Sequence, residues 1–305
     1  MQPFKVHVLG CGSATPTTRH HSASQVVEVR GKVFLVDCAE GTQVQIRKAK
    51  CRFTQISNIF ISHLHGDHCL GLVGLISSFG LTGRIAPLNI YAHGALEHIL
   101  NDMVAFFCPG LSFPVDFIPV DTTVSKVIYE DNSVTVETIP LQHRMPCCGY
   151  LFREKPTLPH IRRDMVDFYH IPLSQINSIK QGVDYVTPEG DVVPAERLLV
   201  PADKPRAYAY CSDTRYVPTL HQLVEGVDLL YHESTYDSTY QHLAQRYYHS
   251  TATDAAKVAK DAHAKHLLLG HYSSRYENEQ ILKEEAMRIF PNVTLAQEGL
   301  VVDVG

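Results

Sequence analysis

His63, His65, Asp67 and His68 fall within six consecutive positions of the stretch Ile61-Ser62-His63-Leu64-His65-Gly66-Asp67-His68, directly after an apolar run. Imidazole and carboxylate together suit Zn²⁺ and related divalent ions. In an extended segment side chains alternate, so His63 and His65 project one way and Leu64 the other. Gly66 then turns the chain and presents Asp67 and His68 from the start of a helix. One junction can therefore serve two adjacent points in space. Three more residues of the same chemistry each close an apolar run: His143 after "TIPLQ", Asp213 after "AYAYCS" and His271 after "HLLLG". In a chain with 18 histidines a lone H-x-H is weak evidence. Seven N and O donors at strand ends are another matter, because two metals sharing one bridging carboxylate need about that number. The chemistry open to such a centre is metal-assisted hydrolysis.

These donors meet only if the strands carrying them end on one edge. The periodicity predicts short strands at "KVHVLG", "SQVVEV" and "VFLVDC", a helix at "GTQVQIRKAK", a strand at "SNIFIS" and one helix through "DHCLGLVGLISSFG" with Asp67 as its N-cap. "LNIYA", a helix from about Gly94 to Phe107, "PVDFIPV" and "SVTVETIPLQH" follow. The alternation returns in "AYAYCSD", "DLLYHES", "HLLLGH" and "VTLAQ", with helices from Thr253 to His263 and Glu277 to Phe290. Two β-rich halves with interspersed helices predict two packed sheets flanked by helices. Residues 154–205 differ: rich in Pro and polar residues, with interrupted short helices, they read as an arm inserted into one domain spanning 1–305. So long a segment outside the core is uncommon unless it binds something.

The chain has 305 residues, 45% of them hydrophobic, and carries a formal net charge of −5. That supports a sizeable core, and by itself it does not indicate a nucleic-acid partner. Any such partner must be met by a local patch. "RKAKCR" at Arg47 to Arg52 is one candidate, and Ser273 and Arg275 beside His271 are placed to hold a phosphate next to the site. The eight cysteines contain no C-x-x-C pair, so reduced thiols are expected rather than a zinc ribbon. No window holds the roughly 18 apolar residues needed to cross a bilayer, and the N-terminus lacks a signal-like apolar stretch. A cytoplasmic location without membrane attachment is expected.

The set "HLHGDH", His143, Asp213 and His271 resembles the metallo-β-lactamase fold superfamily. Further motifs are similar to those of ribonuclease Z, the tRNA 3′-processing endonucleases: "VDCAEGTQVQI", "HESTY" at His232 to Tyr236, "HST" at His249 to Thr251, and "GHYSSRY". The resemblance runs from Val8 to the C-terminus and implies an α+β fold, a four-layer αββα sandwich with an inserted arm. It implies two Zn²⁺ per subunit, with Mn²⁺ or another divalent metal as a substitute. His63, His65 and His143 would hold one ion, Asp67, His68 and His271 the other, and Asp213 would bridge. It further implies that Glu233 and His249 form a proton-donating pair, that the substrate is precursor tRNA, and that the protein is a homodimer whose arm (residues 154–205) contacts the RNA. "PTTRHHS" keeps Pro16 and Arg19 of the family's P-x-K-x-R-N loop, which makes Arg19 a candidate substrate contact, and it has His20 in place of Asn. The family's arm is basic, whereas Arg153 to Arg206 here carries eight basic and eight acidic residues.

The expected reaction is two-metal phosphodiester hydrolysis that leaves a 3′-hydroxyl on the tRNA and a 5′-phosphate on the trailer. Asp67 would orient the attacking water, and His249, steadied by Glu233, would protonate the departing oxygen. One alternative is a small-molecule phosphodiesterase or sulfatase on the same scaffold. Another is an RNA-binding protein whose site has decayed, against which the complete set of seven donors counts.

Overall fold

The structure is a computed structural model describing residues 2–15 and 17–305; Pro16, named above, lies outside the described residues. In chain order the strands are β1 (Phe4–Gly10), β2 (Ser24–Val29), β3 (Lys32–Val36), β4 (Ile56–Phe60), β5 (Leu88–Ala92), β6 (Val115–Pro119), β7 (Val127–Glu130), β8 (Val134–Pro140) and β9 (Cys148–Glu154). Residues 154–205 add the two-residue strands β10 (His160–Ile161), β11 (Tyr185–Val186), β12 (Val192–Val193) and β13 (Leu199–Val200). The chain closes with β14 (Ala207–Cys211), β15 (Leu229–Glu233), β16 (Leu267–Gly270), β17 (Val293–Leu295) and β18 (Val301–Asp303).

Among the described residues these build two seven-stranded sheets and two two-stranded ones, β10-β13 and β11-β12. The first runs β18-β1-β2-β3-β4-β5-β6 and is parallel from β3 to β6. The second runs β17-β16-β15-β14-β9-β8-β7 and is parallel from β17 to β14. Parallel neighbours end on the same edge, so the loops after β3 and β4, and those after β14, β15 and β16, are each gathered together. This is where the candidate donors lie.

Strand parity explains the layers. Val27, Val29, Phe34 and Val36 join Phe60, Tyr150 and Phe152 in one core, while the alternate residues Val26, Val33 and Leu35 face a second core with Ile46, Leu75 and Phe79. Sheets apolar on both faces must be covered by helices, which yields the α+β sandwich. Polar ties fix one sheet on the other: Tyr150 donates to the Ile61 carbonyl at 2.6 Å, and the Ser62 and Ser212 hydroxyls meet at 3.0 Å. Residues Glu154–Pro205 form a separate compact unit, closed on its own small core of Val166, Ile171, Ile179, Tyr185, Val193 and Leu198. Among the described residues no helix is long and apolar enough to cross a membrane.

The single helix expected after His65 is two pieces, Gly66–Cys69 and Leu72–Leu81. The Gly71 N–H donates to the Cys38 carbonyl at 2.9 Å instead of continuing the helical ladder. A side chain at Gly71 would start 1.9 Å from the Ala39 carbonyl oxygen, so only glycine permits this approach. Asp67 is not the N-cap either. His65 holds that position, and Asp67 sits inside the first turn, where its carboxylate turns towards His68 and His271.

Candidate metal centre

The seven donors predicted from the sequence come together. His63 to His68 follow β4, His143 lies three residues beyond β8, Asp213 two beyond β14, and His271 immediately follows β16. At one point the His65 Nδ1 lies 3.0 Å from His63 Nε2 and 3.2 Å from His143 Nε2, with Asp213 Oδ2 3.6 Å from His63 and 3.8 Å from His143. At the second, His68 Nε2 lies 3.3 Å from Asp67 Oδ2 and 3.4 Å from Asp213 Oδ1; for His271 Nε2 the same oxygens are at 3.6 and 3.2 Å. Asp213 thus turns one oxygen to each group.

Four of the five imidazoles are oriented by their other nitrogen. The buried Asp37 carboxylate accepts from His68 Nδ1–H at 2.7 Å. Ser62 donates to Asp37 at 2.9 Å, so its oxygen accepts from His63 Nδ1 at 3.0 Å. Thr235 donates to Glu233 at 2.7 Å and accepts from His271 Nδ1 at 2.9 Å, while the Tyr248 carbonyl accepts from His143 Nδ1 at 2.9 Å. These bonds fix the tautomers, leaving the Nε2 lone pairs of His63, His68, His143 and His271 facing inward.

Do these residues fit a metal? The Nε2 atoms of His68 and His271 are buried and make no hydrogen bond, although carboxylate oxygens stand near them. Buried polar atoms without partners are rare. Donors bound tetrahedrally at zinc distances of about 2.0–2.1 Å stand roughly 3.3–3.4 Å from one another, in the range seen here. The donor set fits divalent ions at both points. Burial lowers the pKa of His63, His65 and His143, the neutral form that ligation requires. For His68 burial acts in the same direction, but Asp213, Asp37 and Asp67 outweigh it and hold its pKa well above the usual value. Burial works against ionisation of Asp67 and Asp213, and the imidazoles of His271 and His68 outweigh it, holding both carboxyls far below the ordinary range.

Beside the donors, His249 Nδ1 is 2.8 Å from Glu233 Oε1. Glu233 is fully buried and also accepts from the Thr214 and Thr235 backbone N–H groups at 3.1 and 3.0 Å. Burial disfavours charge on His249, yet Glu233 outweighs it and raises the pKa to about 9. A charged imidazole at neutral pH can give a proton to a leaving oxygen. Five of the donors, His65, Asp67, His143, Asp213 and His271, line a cleft of about 550 Å³ shared with Ser273, Arg275, Arg144, Tyr236 and Tyr247. Arg275 Nε donates to Ser273 Oγ at 3.0 Å. Arg19 is elsewhere: its guanidinium is bonded to the carbonyls of Tyr276 and Glu277 and to Glu279, and it borders a different cavity of about 280 Å³. Sequence reasoning missed Asp37, Ser62 and Thr235 as orienting groups. For Asp37 the signal was present, since it too is a carboxylate directly after an apolar strand.

A family model described as "Anti-Pycsar protein Apyc1" matches residues 4–155. Ribonuclease Z of Phocaeicola vulgatus is 53% identical over 304 residues, covering 100% of this chain and 98% of that one, and ribonuclease Z of Bacteroides fragilis is 53% identical with 100% of both covered. Human tRNase Z, short form, superposes with a TM-score of 0.70 at 26% identity, covering 99% of each chain. The metallo-β-lactamase fold protein YhfI from Bacillus subtilis superposes equally well at 18% identity, which speaks to the fold alone. With that identity held along the whole chain, and the motifs falling on one cleft, the chain belongs to the ribonuclease Z family.

Proposed function

We propose that this protein is a metal-dependent endoribonuclease that removes the 3′ trailer from precursor tRNA, leaving a 3′-hydroxyl on the tRNA and a 5′-phosphate on the trailer. One observation carries the reading: Asp213 offers one oxygen to each of two donor groups, with the Glu233-held His249 beside them. The site is proposed to take two Zn²⁺, His63, His65 and His143 holding one and Asp67, His68 and His271 the other. Bound there, the ions would neutralise charge on the scissile phosphate and bring the pKa of a water close to neutrality.

The chain's own groups do the rest. Asp67 lies at the donor pair of His68 and His271, where its carboxylate can orient the attacking water and accept its proton. His249 gives its proton to the departing 3′ oxygen, and the buried Glu233 keeps it charged and aimed. Ser273 and Arg275 line the cleft as donors to the phosphate. The arm at 154–205, in a homodimer that would present it to the partner's site, is proposed to hold the body of the tRNA, and the enzyme to act in the cytoplasm.

Asp67→Ala tests the assignment. Cleavage of precursor tRNA should be abolished while the dissociation constant for the RNA stays within a few-fold of the parent's. A variant that still cuts at the parental rate, or that fails through loss of RNA binding alone, would refute the role given to Asp67.

A further inference from the structure

An acidic protein with a charge-neutral arm still has to gather RNA phosphates at its cleft. Four arginines at and around it are held in a distinctive way. Arg144 stacks on the Tyr247 ring at 4.7 Å, with Arg246 on the same ring at 5.6 Å; Arg215 lies over Tyr248 at 5.3 Å; Arg275 lies over Tyr240 at 4.3 Å and Tyr236 at 4.8 Å. The arginine ion pairs given by the structure involve other residues, and among the described residues none of these four pairs with a carboxylate. All four are exposed. Arg144, Tyr236, Tyr247 and Arg275 line the cleft that holds the metal donors. Two guanidinium groups on one tyrosine repel each other, and an anion laid across them relieves that repulsion.

Aromatic faces alternating with unpaired arginines match one chemistry well: unpaired nucleotides, whose bases stack and whose phosphates pair with guanidinium. The chain places this chemistry against the reacting bond. Arg144 follows His143, Tyr247 precedes His249 by two residues, and the His249 ring lies 5.1 Å from His143 and 6.2 Å from Tyr236. The oxygen that His249 protonates belongs to the last nucleoside retained by the tRNA. We propose that the Arg144–Tyr247–Arg246 stack is the binding site for that unpaired nucleotide, a guanidinium carried on the Tyr247 ring stacking on its base and the two arginines holding the adjacent phosphates. This rests on the tRNA-processing reading and adds to it a nucleotide-positioning subsite built by Arg144, Arg246 and Tyr247.

The test is equilibrium binding of metal-loaded protein to a labelled precursor tRNA made uncleavable by a 3′-methylenephosphonate at the cut, with thermal midpoints and metal content measured alongside. Tyr247→Ala, which removes the platform under both guanidinium groups, should weaken binding roughly five- to hundredfold, the range that one stacked base supplies, and Tyr247→Phe should restore it. Removing the base of the last retained nucleotide should weaken binding to the parent equally and add nothing to Tyr247→Ala, since each deletes the same contact. Arg144→Ala should reduce the slope of log affinity against log salt by about 0.7–0.9. Parental affinity in a folded Tyr247→Ala variant, or losses from variant and abasic substrate that multiply, would overturn the subsite while leaving the tRNA-processing reading intact. Failure of the folded, metal-loaded parent to cut the ordinary precursor would overturn both.

Discussion

Asp37 never touches the space between the candidate ligands, yet the geometry makes it decisive for one of the two candidate metal positions. Its Oδ1 accepts the Ser62 N–H at 2.7 Å, and its Oδ2 accepts from His68 Nδ1 at 2.7 Å, Ser62 Oγ at 2.9 Å and Tyr210 OH at 2.7 Å. Asp37→Asn replaces Oδ2 by an amide that donates. The Ser62 and Tyr210 hydroxyls can rotate to accept from it, but His68 Nδ1–H cannot. His68 must move its proton to Nε2, the atom that faces the metal. The backbone is spared, because asparagine tolerates the left-handed conformation found at Asp37, where φ is 56°. Losing a charge-assisted hydrogen bond costs the metal-free protein roughly 1.5–3 kcal/mol. Disturbing an orienting carboxylate typically costs about 10- to 100-fold in metal affinity. We therefore predict, by chelator competition with Zn²⁺, two binding classes in the parent. In Asp37→Asn the class assigned to Asp67, His68 and His271 should weaken by that factor, and the class assigned to His63, His65 and His143, which meets Asp37 only through the Ser62 hydroxyl, should weaken less. Equal weakening of both classes, or of neither, would refute the argument from the tautomer.

Two further predictions follow from the same geometry. His249→Ala should slow cleavage most when the leaving group is a poor one such as a ribose 3′ oxygen, and little with an activated aryl phosphodiester; equal loss with both would contradict its role as proton donor. Protonated His20 pairs with Glu298 at 3.0 Å and Glu279 at 3.3 Å, and its pKa is raised, chiefly by the hydrogen bond to Glu298. A raised folded-state pKa gives stability that is fully present below the unfolded value of about 6.5 and is lost as pH rises through the folded one. The deficit in Tm of His20→Asn relative to the parent should thus be largest near pH 6 and shrink in alkali, and a deficit constant across that range would count against the pairing.

The cluster of candidate donors was legible because the signal is local: a strand, then histidine or aspartate at the turn, repeated along the chain. Two packed sheets flanked by helices followed from the same alternation, and the family resemblance supplied the α+β sandwich. Asp37 was written in that code too, but its role depends on β3 and β4 lying side by side, which spacing does not reveal. The helix break at Gly71 was illegible for a related reason, since it is set by the approach of the Ala39 carbonyl from a segment about thirty residues away. Arg19 carried a motif without its geometry, and the fold commits its guanidinium to Tyr276, Glu277 and Glu279. The stack on Tyr247 draws on Arg144 and Arg246, about a hundred positions apart, so no charge run in the sequence announces it.

The most direct measurement is cleavage of a 5′-labelled precursor tRNA carrying a 3′ trailer, mapped to the nucleotide, with chelator-treated and metal-restored protein in parallel. We predict a single cut at the 3′ end of the tRNA body, at the discriminator base or just after CCA, lost on chelation and regained with Zn²⁺, leaving a 3′-hydroxyl. An uncut precursor with folded, metal-loaded protein that still hydrolyses a small phosphodiester would contradict the account.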